Sequence, residues 1–330
     1  MHPFEYIRAE HPAQAVATVA ADPAADYLAG GTTELDLMLK DGVIAPERLV
    51  DITRLPLKWI TADADAVRVG ATTTMEELAA DPTVSRRLPF VREALLAGAS
   101  AQLRNMATIG GNLLQRTRCR YFRDPAVGAC NKRRPGSGCA AVVEGARMHA
   151  ILGASASCVA LHASDLAVPL VALDAIVHVL GPSGMRRVPL TGFYLKPGDT
   201  PQAENVLSHG ELITQVDLPL LPSNARSAYL KVRDRASYEF ALASAGVAVV
   251  LDGGVIRDVR IGLGGVGTIP WRAWAAEDQL RGGPATGAAF RAAAQAAIRD
   301  PYTLPGTAFK VELAKRTLIR VLHTVTGVTP

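Results

Sequence analysis

The four cysteines of the chain, all within forty residues of one another, are the side chains best suited to bind a metal centre. Thiolates are soft ligands, and four of them can complete the shell of a [4Fe-4S] cluster or of a zinc ion. Their spacing, C-x10-C-x8-C-x18-C, lacks the close C-x2-C pairs that zinc knuckles use. Disulfides are a third possibility, although a chain of this length does not need them. The pattern favours an iron–sulfur cluster, with candidate ligands Cys119, Cys130, Cys139 and Cys158.

Basic side chains crowd the same stretch, which we call the cysteine segment (residues 116–158). Cations near a cluster stabilise its negative charge and raise its reduction potential. A solvated basic loop or a docking surface would have the same composition, so both interpretations stay open. The cations are Arg116, Arg118, Arg120, Arg123, Lys132, Arg133 and Arg134, set against Asp124.

Two glycine turns could hold a phosphate group. The first is Gly30-Gly31-Thr32, between a predicted strand and a predicted helix, and the second is Thr108-Ile109-Gly110-Gly111-Asn112. Glycines let backbone amides approach a phosphate, and a helix N-terminus adds a positive dipole end. One Gly-Gly pair is more often a plain tight turn, but two such turns together make a pyrophosphate clamp more credible. The string 262–267 also satisfies G-x-G-x-x-G, yet Pro270 follows it, so we interpret it as a structural loop.

Periodicity predicts short α and β units that would position these turns. In the first part of the chain the predicted helices are 11–21, 34–40, 90–99 and one starting at Met75, and the strands are 27–29, 49–52 and 66–70. Thr74 and Glu77 form an N-cap pattern for the helix that starts at Met75. Further on, we predict strands at 159–161, 176–180, 185–189 and 211–218, and a helix beginning at Ser164 and Asp165.

A proline-rich linker at 219–225 predicts a domain boundary. We expect an N-terminal domain of residues 1–222, with subdomains of about 1–55 and 56–222, and a C-terminal domain of residues 223–330. The latter is predicted to be α+β, with a three-stranded antiparallel sheet (228–232, 245–251 and 255–263) and helices at 271–281, 287–299 and 309–324. The turn Asp252-Gly253-Gly254 is a strong hairpin signal.

Composition narrows the function classes. The chain has 330 residues and a formal charge of +4, which gives no broad electrostatic footprint for nucleic acid. No run of eighteen apolar residues predicts a membrane span. The first residues lack the basic and apolar regions of a signal peptide, so we expect no export by a signal of its own.

These residues together resemble the FAD-binding medium subunits of the xanthine dehydrogenase and molybdenum hydroxylase family. The resemblance is carried above all by the string 102–112, QLRNMATIGGN, and by Ala29-Gly30-Gly31-Thr32. Most medium subunits of the family lack a cysteine segment. With its cysteines, this chain looks most like the [4Fe-4S]-containing FAD subunit of bacterial periplasmic aldehyde oxidoreductases.

The resemblance implies a fold and a set of site residues. The fold would be α+β, an FAD-binding domain of the vanillyl-alcohol oxidase type with two subdomains, followed by a C-terminal domain of the CO dehydrogenase flavoprotein type. Asp165 would bond a ribose or ribityl hydroxyl, Ile213 would pack on the flavin region, and Lys231 would lie near the polar edge of the ring. The pyrophosphate would be held by Leu28, Ala29, Gly30, Gly31, Thr32, Thr33, Glu34 and Leu35, and by Thr108, Gly110, Gly111 and Asn112.

The resemblance also implies a function. The chain would be the electron-transfer subunit of a heterotrimeric aldehyde oxidoreductase, with no catalytic side chain of its own. Its partners would be a large molybdenum-cofactor subunit, a small subunit with two [2Fe-2S] clusters, and an external electron acceptor. The protein would be periplasmic, exported with a partner chain, or cytoplasmic. The alternatives are a stand-alone flavin enzyme with structural zinc, a non-enzymatic assembly module, and a subunit of a related xanthine dehydrogenase or hydroxybenzoyl-CoA reductase complex.

Overall fold

The chain begins with a parallel sheet of order β1-β3-β2 in the computed structural model, which describes residues 2–329. Its strands are β1 (Glu5–Arg8), β2 (Ala25–Leu28) and β3 (Arg48–Asp51). Parallel strands need a crossover connection, and helix α1 (Pro12–Ala20) connects β1 to β2, which lie on opposite sides of β3. Val16 and Val19 of α1 pack with Val50 of β3 in a small core. The carboxyl end of β2 leads directly into the first glycine turn.

A π-helical turn, Asp36–Lys40, follows that glycine turn where the sequence predicted an α-helix over 34–40. Its wider hydrogen bonding runs from the Asp41 amide to the Asp36 carbonyl, 3.0 Å. The extra residue in the turn places the carboxylates of Asp36 and Asp41 on the same guanidinium, that of Arg123. The turn therefore ties the first sheet to the cysteine segment.

The second sheet is antiparallel, of order β4-β5-β8-β6-β7. Helices pack on it around a core that includes Phe90, Ile109 and Leu170. The strands are β4 (Ile60–Ala62), β5 (Ala66–Gly70), β6 (Ile176–Gly181), β7 (Gly184–Pro189) and β8 (Leu212–Pro219). The helices are α2 (Met75–Ala80), α3 (Pro82–Arg87), α4 (Pro89–Ala97), α5 (Ala101–Arg104), α6 (Ile109–Leu113), α7 (Arg120–Arg123), α8 (Ala140–Glu144) and α9 (Ala167–Ala172).

The capping pattern predicted for α2 is confirmed, because Thr74 and Glu77 bond each other's backbone amides. The strand predicted at 159–161 is wrong. The backbone there forms single loop contacts instead, such as the bond from the Ala150 amide to the Val159 carbonyl, 2.8 Å. The helix predicted to begin at Ser164 and Asp165 starts at Ala167.

The third sheet, order β12-β11-β10-β9, is antiparallel and is covered on both faces. Helix α12 packs on β10 and β9, while α4 and α9 contact β9, β10 and β11. Burial on both sides explains why β10 is a nearly continuous apolar run. The elements are β9 (Arg226–Val232), β10 (Ala243–Asp252), β11 (Val255–Gly264), β12 (Trp271–Arg272), α10 (Trp274–Leu280), α11 (Gly287–Ala297) and α12 (Phe309–Thr326). The predicted three strands are present, and β12 is a short fourth.

The G-x-G-x-x-G string has a packing role. Gly262 lies in β11, where an added Cβ would come within 2.2 Å of the Val168 carbonyl oxygen in α9. Only glycine lets α9 approach the sheet so closely.

Candidate functional site

The first glycine turn packs directly against the two residues that lead into the second, Met106 and Ala107. A Cβ on Gly30 would lie 1.9 Å from the Met106 carbonyl oxygen, so no larger residue fits there. Gly31 has a φ of +69°, and Leu28 and Leu35 pack on it. The string 102–112 therefore forms one wall of the first turn.

The second turn is the N-terminus of helix α6. Thr108 caps this helix by accepting a hydrogen bond from the Gly111 amide, 3.2 Å, and Gly110 donates to the Ala71 carbonyl, 2.9 Å. Asn112 is buried, and its side-chain oxygen accepts from the Ser164 hydroxyl, 2.6 Å. Asn112 thus holds the loop before α9 in place.

Two cavities meet at these turns. We name them the Ile213 cavity, of about 270 Å³, and the Lys231 cavity, of about 320 Å³. They share Thr32, Thr33 and Gly111, which form a floor common to both. The remaining predicted residues divide between them. Ala29, Gly30, Gly31, Glu34, Thr108, Gly110 and Ile213 line the first, and Asn112, Asp165 and Lys231 line the second.

The structure separates two residues that were predicted to lie together. Ile213 and Lys231 were both expected at the flavin, yet they border different cavities. Leu28 and Leu35 line neither cavity and support Gly31 from the side.

Glu34 is a half-buried acid in the Ile213 cavity. Its Oε1 atom is inaccessible to solvent and has no hydrogen-bond partner among the described residues. Burial raises the pKa of Glu34 to about 8, and the nearby carboxylate of Asp26 adds to the shift. Burial also raises the pKa of Asp26. Near neutral pH, Glu34 is therefore a protonated carboxyl that can donate a hydrogen bond.

The acid and the cation of the Lys231 cavity are paired. The ammonium of Lys231 donates to Asp165 Oδ2 at 2.7 Å, with only 3% of the lysine side chain exposed. Lys231 also donates to the Ala97 carbonyl, 3.1 Å, and the Tyr229 hydroxyl donates to Asp165 Oδ1, 2.6 Å. This network fixes both charges at one wall of the cavity.

All four cysteines line one small cavity of about 10 Å³, here called the cysteine cavity. They are unbridged, and burial raises the pKa of Cys119 to about 11. In the part of the chain that the structure describes, no three His, Cys, Asp or Glu residues are grouped closely enough to hold a metal ion. The donors fit a [4Fe-4S] cluster in type and number. The cavity has room for about one water molecule and must widen to admit a cluster.

Most of the basic residues of the segment are engaged inside the protein. Arg133 donates to the carbonyls of Tyr121, Phe122 and Asp124 at 2.6 to 2.8 Å. Lys132, 7% exposed, bonds Glu204 at 2.7 Å. Arg118 and Arg123 bond Asp36, and Arg116 pairs with Glu204. These contacts hold the segment in shape, and Arg120 and Arg134 are its exposed cations.

A further cavity of about 170 Å³, here the connecting cavity, lies between the cysteines and the Lys231 cavity. Cys119 borders both the cysteine cavity and the connecting cavity. Arg118, Asp165 and Phe240 border both the connecting cavity and the Lys231 cavity. Of the four cysteines, Cys119 is the one that lines this route.

Two buried residues at the cysteines were missed from the sequence. His149 Nε2 lies 3.2 Å from Cys119 Sγ, and Lys310 of α12 donates to the His149 carbonyl, 2.9 Å. Burial lowers the pKa of Lys310 to about 7 and that of His149 to about 4. No sequence pattern links positions so far apart, although the place of His149 between the third and fourth cysteines was a usable signal.

Comparisons with known proteins agree with this architecture. Residues 2–221 match the model of the FAD binding domain in molybdopterin dehydrogenase, and residues 228–325 match the CO dehydrogenase flavoprotein C-terminal domain. The chain is 45% identical over 324 residues to the aldehyde oxidoreductase FAD-binding subunit PaoB of Escherichia coli (strain K12), covering 98% of each chain. It is 29% identical to the glyceraldehyde dehydrogenase medium chain of Sulfolobus acidocaldarius, covering 84% of this chain and 81% of that one.

The fold is also that of solved structures. A carbon monoxide dehydrogenase structure from Hydrogenophaga pseudoflava superposes with a TM-score of 0.77 at 28% identity, covering 99% of this chain and 98% of that chain. Across residues 2–329, no helix is both long and apolar enough to cross a membrane.

Proposed function

Because the chain belongs to the family of FAD-binding medium subunits of molybdenum hydroxylases, we propose that it is the electron-transfer subunit of a heterotrimeric aldehyde oxidoreductase. It would hold FAD and a [4Fe-4S] cluster beside a large molybdenum-cofactor chain and a small chain with two [2Fe-2S] clusters. When bound, these groups would carry electrons from the molybdenum partner to an external acceptor. The observation that carries the proposal is the position of Cys119, which lines both the cysteine cavity and the connecting cavity.

The cavities support one orientation of FAD. The common floor of Thr32, Thr33 and Gly111 suits the pyrophosphate, because it joins the two cavities at the glycine turns. The Lys231 cavity would take the isoalloxazine, since its cations stabilise a ring that gains negative charge on reduction. The Ile213 cavity would take the adenosine. Ile213 would then pack on the adenosine end, not on the flavin region.

The residues of this chain would hold FAD and the cluster and would place positive charges near the flavin ring. Lys231, held by Asp165, would offer a fixed positive charge to the ring. Arg118, bonded to Asp36 at 2.9 Å, would offer a second charge from the cavity wall between the ring and Cys119. The four thiolates would hold the cluster, and the internal bonds of Arg133 would keep the loop around it closed.

Metal analysis of the purified complex tests this proposal. A Cys158→Ser variant is expected to lose about four iron and four sulfide per trimer while keeping its FAD, because the cysteine cavity is distinct from both FAD cavities. Ser157→Ala is the matched control, since Ser157 lines the same cavity without a thiol. One zinc per chain that is lost in Cys158→Ser would instead identify the stand-alone flavin enzyme. A colourless complex without FAD would favour the assembly module.

A further inference from the structure

A buried histidine touches the cysteine that lines the connecting cavity. His149 is 4% exposed, and its Nε2 atom lies within hydrogen-bonding distance of Cys119 Sγ, at 3.2 Å. We propose that His149 is a positioning residue that donates this hydrogen bond to the Cys119 thiolate and so raises the reduction potential of the bound cluster. The inference rests on the proposed function, because it requires a cluster at the cysteines.

The direction of the bond follows from the ligand. A cysteine that binds iron is a thiolate, which carries no proton and can only accept a hydrogen bond. Nε2 must then be the protonated nitrogen of the ring. Nδ1 makes no hydrogen bond within residues 2–329, so a proton on Nε2 leaves no hydrogen bond of the ring broken.

The backbone of His149 is held from two sides. Lys310, fully buried on α12, donates its ammonium proton to the His149 carbonyl, and the His149 amide donates to the Ala146 carbonyl, 2.9 Å. The ring of Tyr121 lies 6.1 Å away between centroids. These contacts fix the backbone from which the imidazole reaches Cys119, and they tie that backbone to the C-terminal helix.

The hydrogen bond should change the reduction potential of the cluster in a predictable direction. An N–H group directed at a thiolate withdraws negative charge from it, and this favours the reduced, more negative form of a cluster. Because Cys119 also lines the connecting cavity, the effect falls on the sulfur nearest the Lys231 cavity. His149 therefore acts on Cys119, the cysteine at the connecting cavity, and not on the other three cysteines.

The test is an EPR-monitored redox titration of the holo-complex with His149→Phe and His149→Gln. His149→Phe is expected to keep its iron and to lower the midpoint potential of this cluster, while His149→Gln, which keeps an N–H donor, stays closer to the parent. His323→Phe is the matched control, because His323 is buried against Phe290 and contacts no cysteine. An unchanged midpoint in iron-replete His149→Phe would overturn the inference.

A second measurement covers a Phe variant that fails to load iron. In the parent complex with ¹⁵N-labelled histidine, pulsed EPR of the reduced cluster should detect a weak nitrogen coupling through the N–H···S bond. A missing coupling contradicts the inference, and a strong coupling would make His149 a direct ligand and contradict it as well. A parent complex without iron and sulfide at these cysteines would refute the proposed function itself, and the inference with it.

Discussion

The two cavities that meet at the glycine turns treat charge in opposite ways. In the Ile213 cavity, the Oε1 atom of Glu34 is inaccessible and has no donor within the described chain, and desolvation raises the pKa of both Glu34 and Asp26. In the Lys231 cavity, Asp165 is bonded to Lys231 and Asp36 to Arg118. Glu34 of the first cavity is neutralised by protonation, whereas the second cavity keeps the charges of Asp165 and Asp36 by pairing them.

That difference favours one orientation of bound FAD over the other. Protonated carboxyls donate hydrogen bonds to neutral polar groups, and such groups are plentiful on adenosine. Paired ions keep a positive charge available at any pH near neutral, which suits a ring that becomes anionic on reduction. The contrast therefore accounts for the proposed orientation without any residue that touches both ends of FAD.

The first glycine turn, beside the common floor, is the most damaging place to alter. Gly30→Ala should abolish FAD binding at both cavities, because its Cβ would meet the Met106 backbone oxygen at 1.9 Å and that backbone cannot move aside cheaply. The measurement is the ratio of flavin to protein absorbance. Gly192→Ala should keep its full flavin, since nothing lies within 4 Å of a Cβ there. A fully flavinated Gly30→Ala protein would show that the two turns do not form one floor.

The Lys231 cavity is expected to be the next most sensitive to substitution. Lys231→Met leaves Asp165 as a buried charge without its cation, and this should cost about 3–5 kcal/mol of unfolding free energy. Urea unfolding of the FAD-bound protein measures the loss. Lys58→Met breaks an ion pair with Glu77 whose side chains are 53% and 44% exposed, and it should cost less than about 1 kcal/mol. Equal losses in the two variants would mean that the Lys231 pair is not the buried one.

Arg118→Gln tests the contrast between the two cavities through the reduction potential of the flavin. At an effective dielectric constant of about 20, a unit charge at a distance of about 10 Å contributes roughly 1–2 kcal/mol; if Arg118 acts on the flavin with that strength, its loss should lower the flavin midpoint by about 20–40 mV. Arg116→Gln removes the same charge from the Ile213 cavity and should leave the flavin potential nearly unchanged. If Arg116→Gln shifted the potential more, FAD would lie in the opposite direction.

The smallest expected effect is the pH dependence of the affinity for FAD. With a pKa of about 8, Glu34 is neutral at pH 7 and ionises above pH 8, where it would repel the FAD pyrophosphate. Affinity for FAD, measured by fluorescence titration of the deflavinated protein, should fall roughly tenfold between pH 7.5 and 9. Glu34→Gln should bind equally well across that range, whereas Glu77→Gln should behave as the parent. A parent protein with pH-independent affinity would mean that Glu34 does not border the phosphate.

Features that depend only on neighbouring residues could be predicted from the sequence. Thr74 and Glu77 predicted a helix start because a capping box needs only four neighbouring residues. The Asp252-Gly253-Gly254 hairpin was predicted for the same reason, and the two strands that it joins pair as expected. The glycine pairs marked close backbone approaches, although only the structure shows that Gly30 is required by Met106.

Tertiary structure alone decided which charges have partners. Lys231 and Asp165 are 66 positions apart, and Lys310 and His149 are 161 apart, so no spacing rule could pair them. The unsatisfied oxygen of Glu34, the separation of Ile213 from Lys231, and the contact between His149 and Cys119 are likewise set by packing. The sequence by itself determined which residue types were available for chemistry. Their protonation and their neighbours depend on burial and through-space contact, which arise only when distant parts of the chain come together.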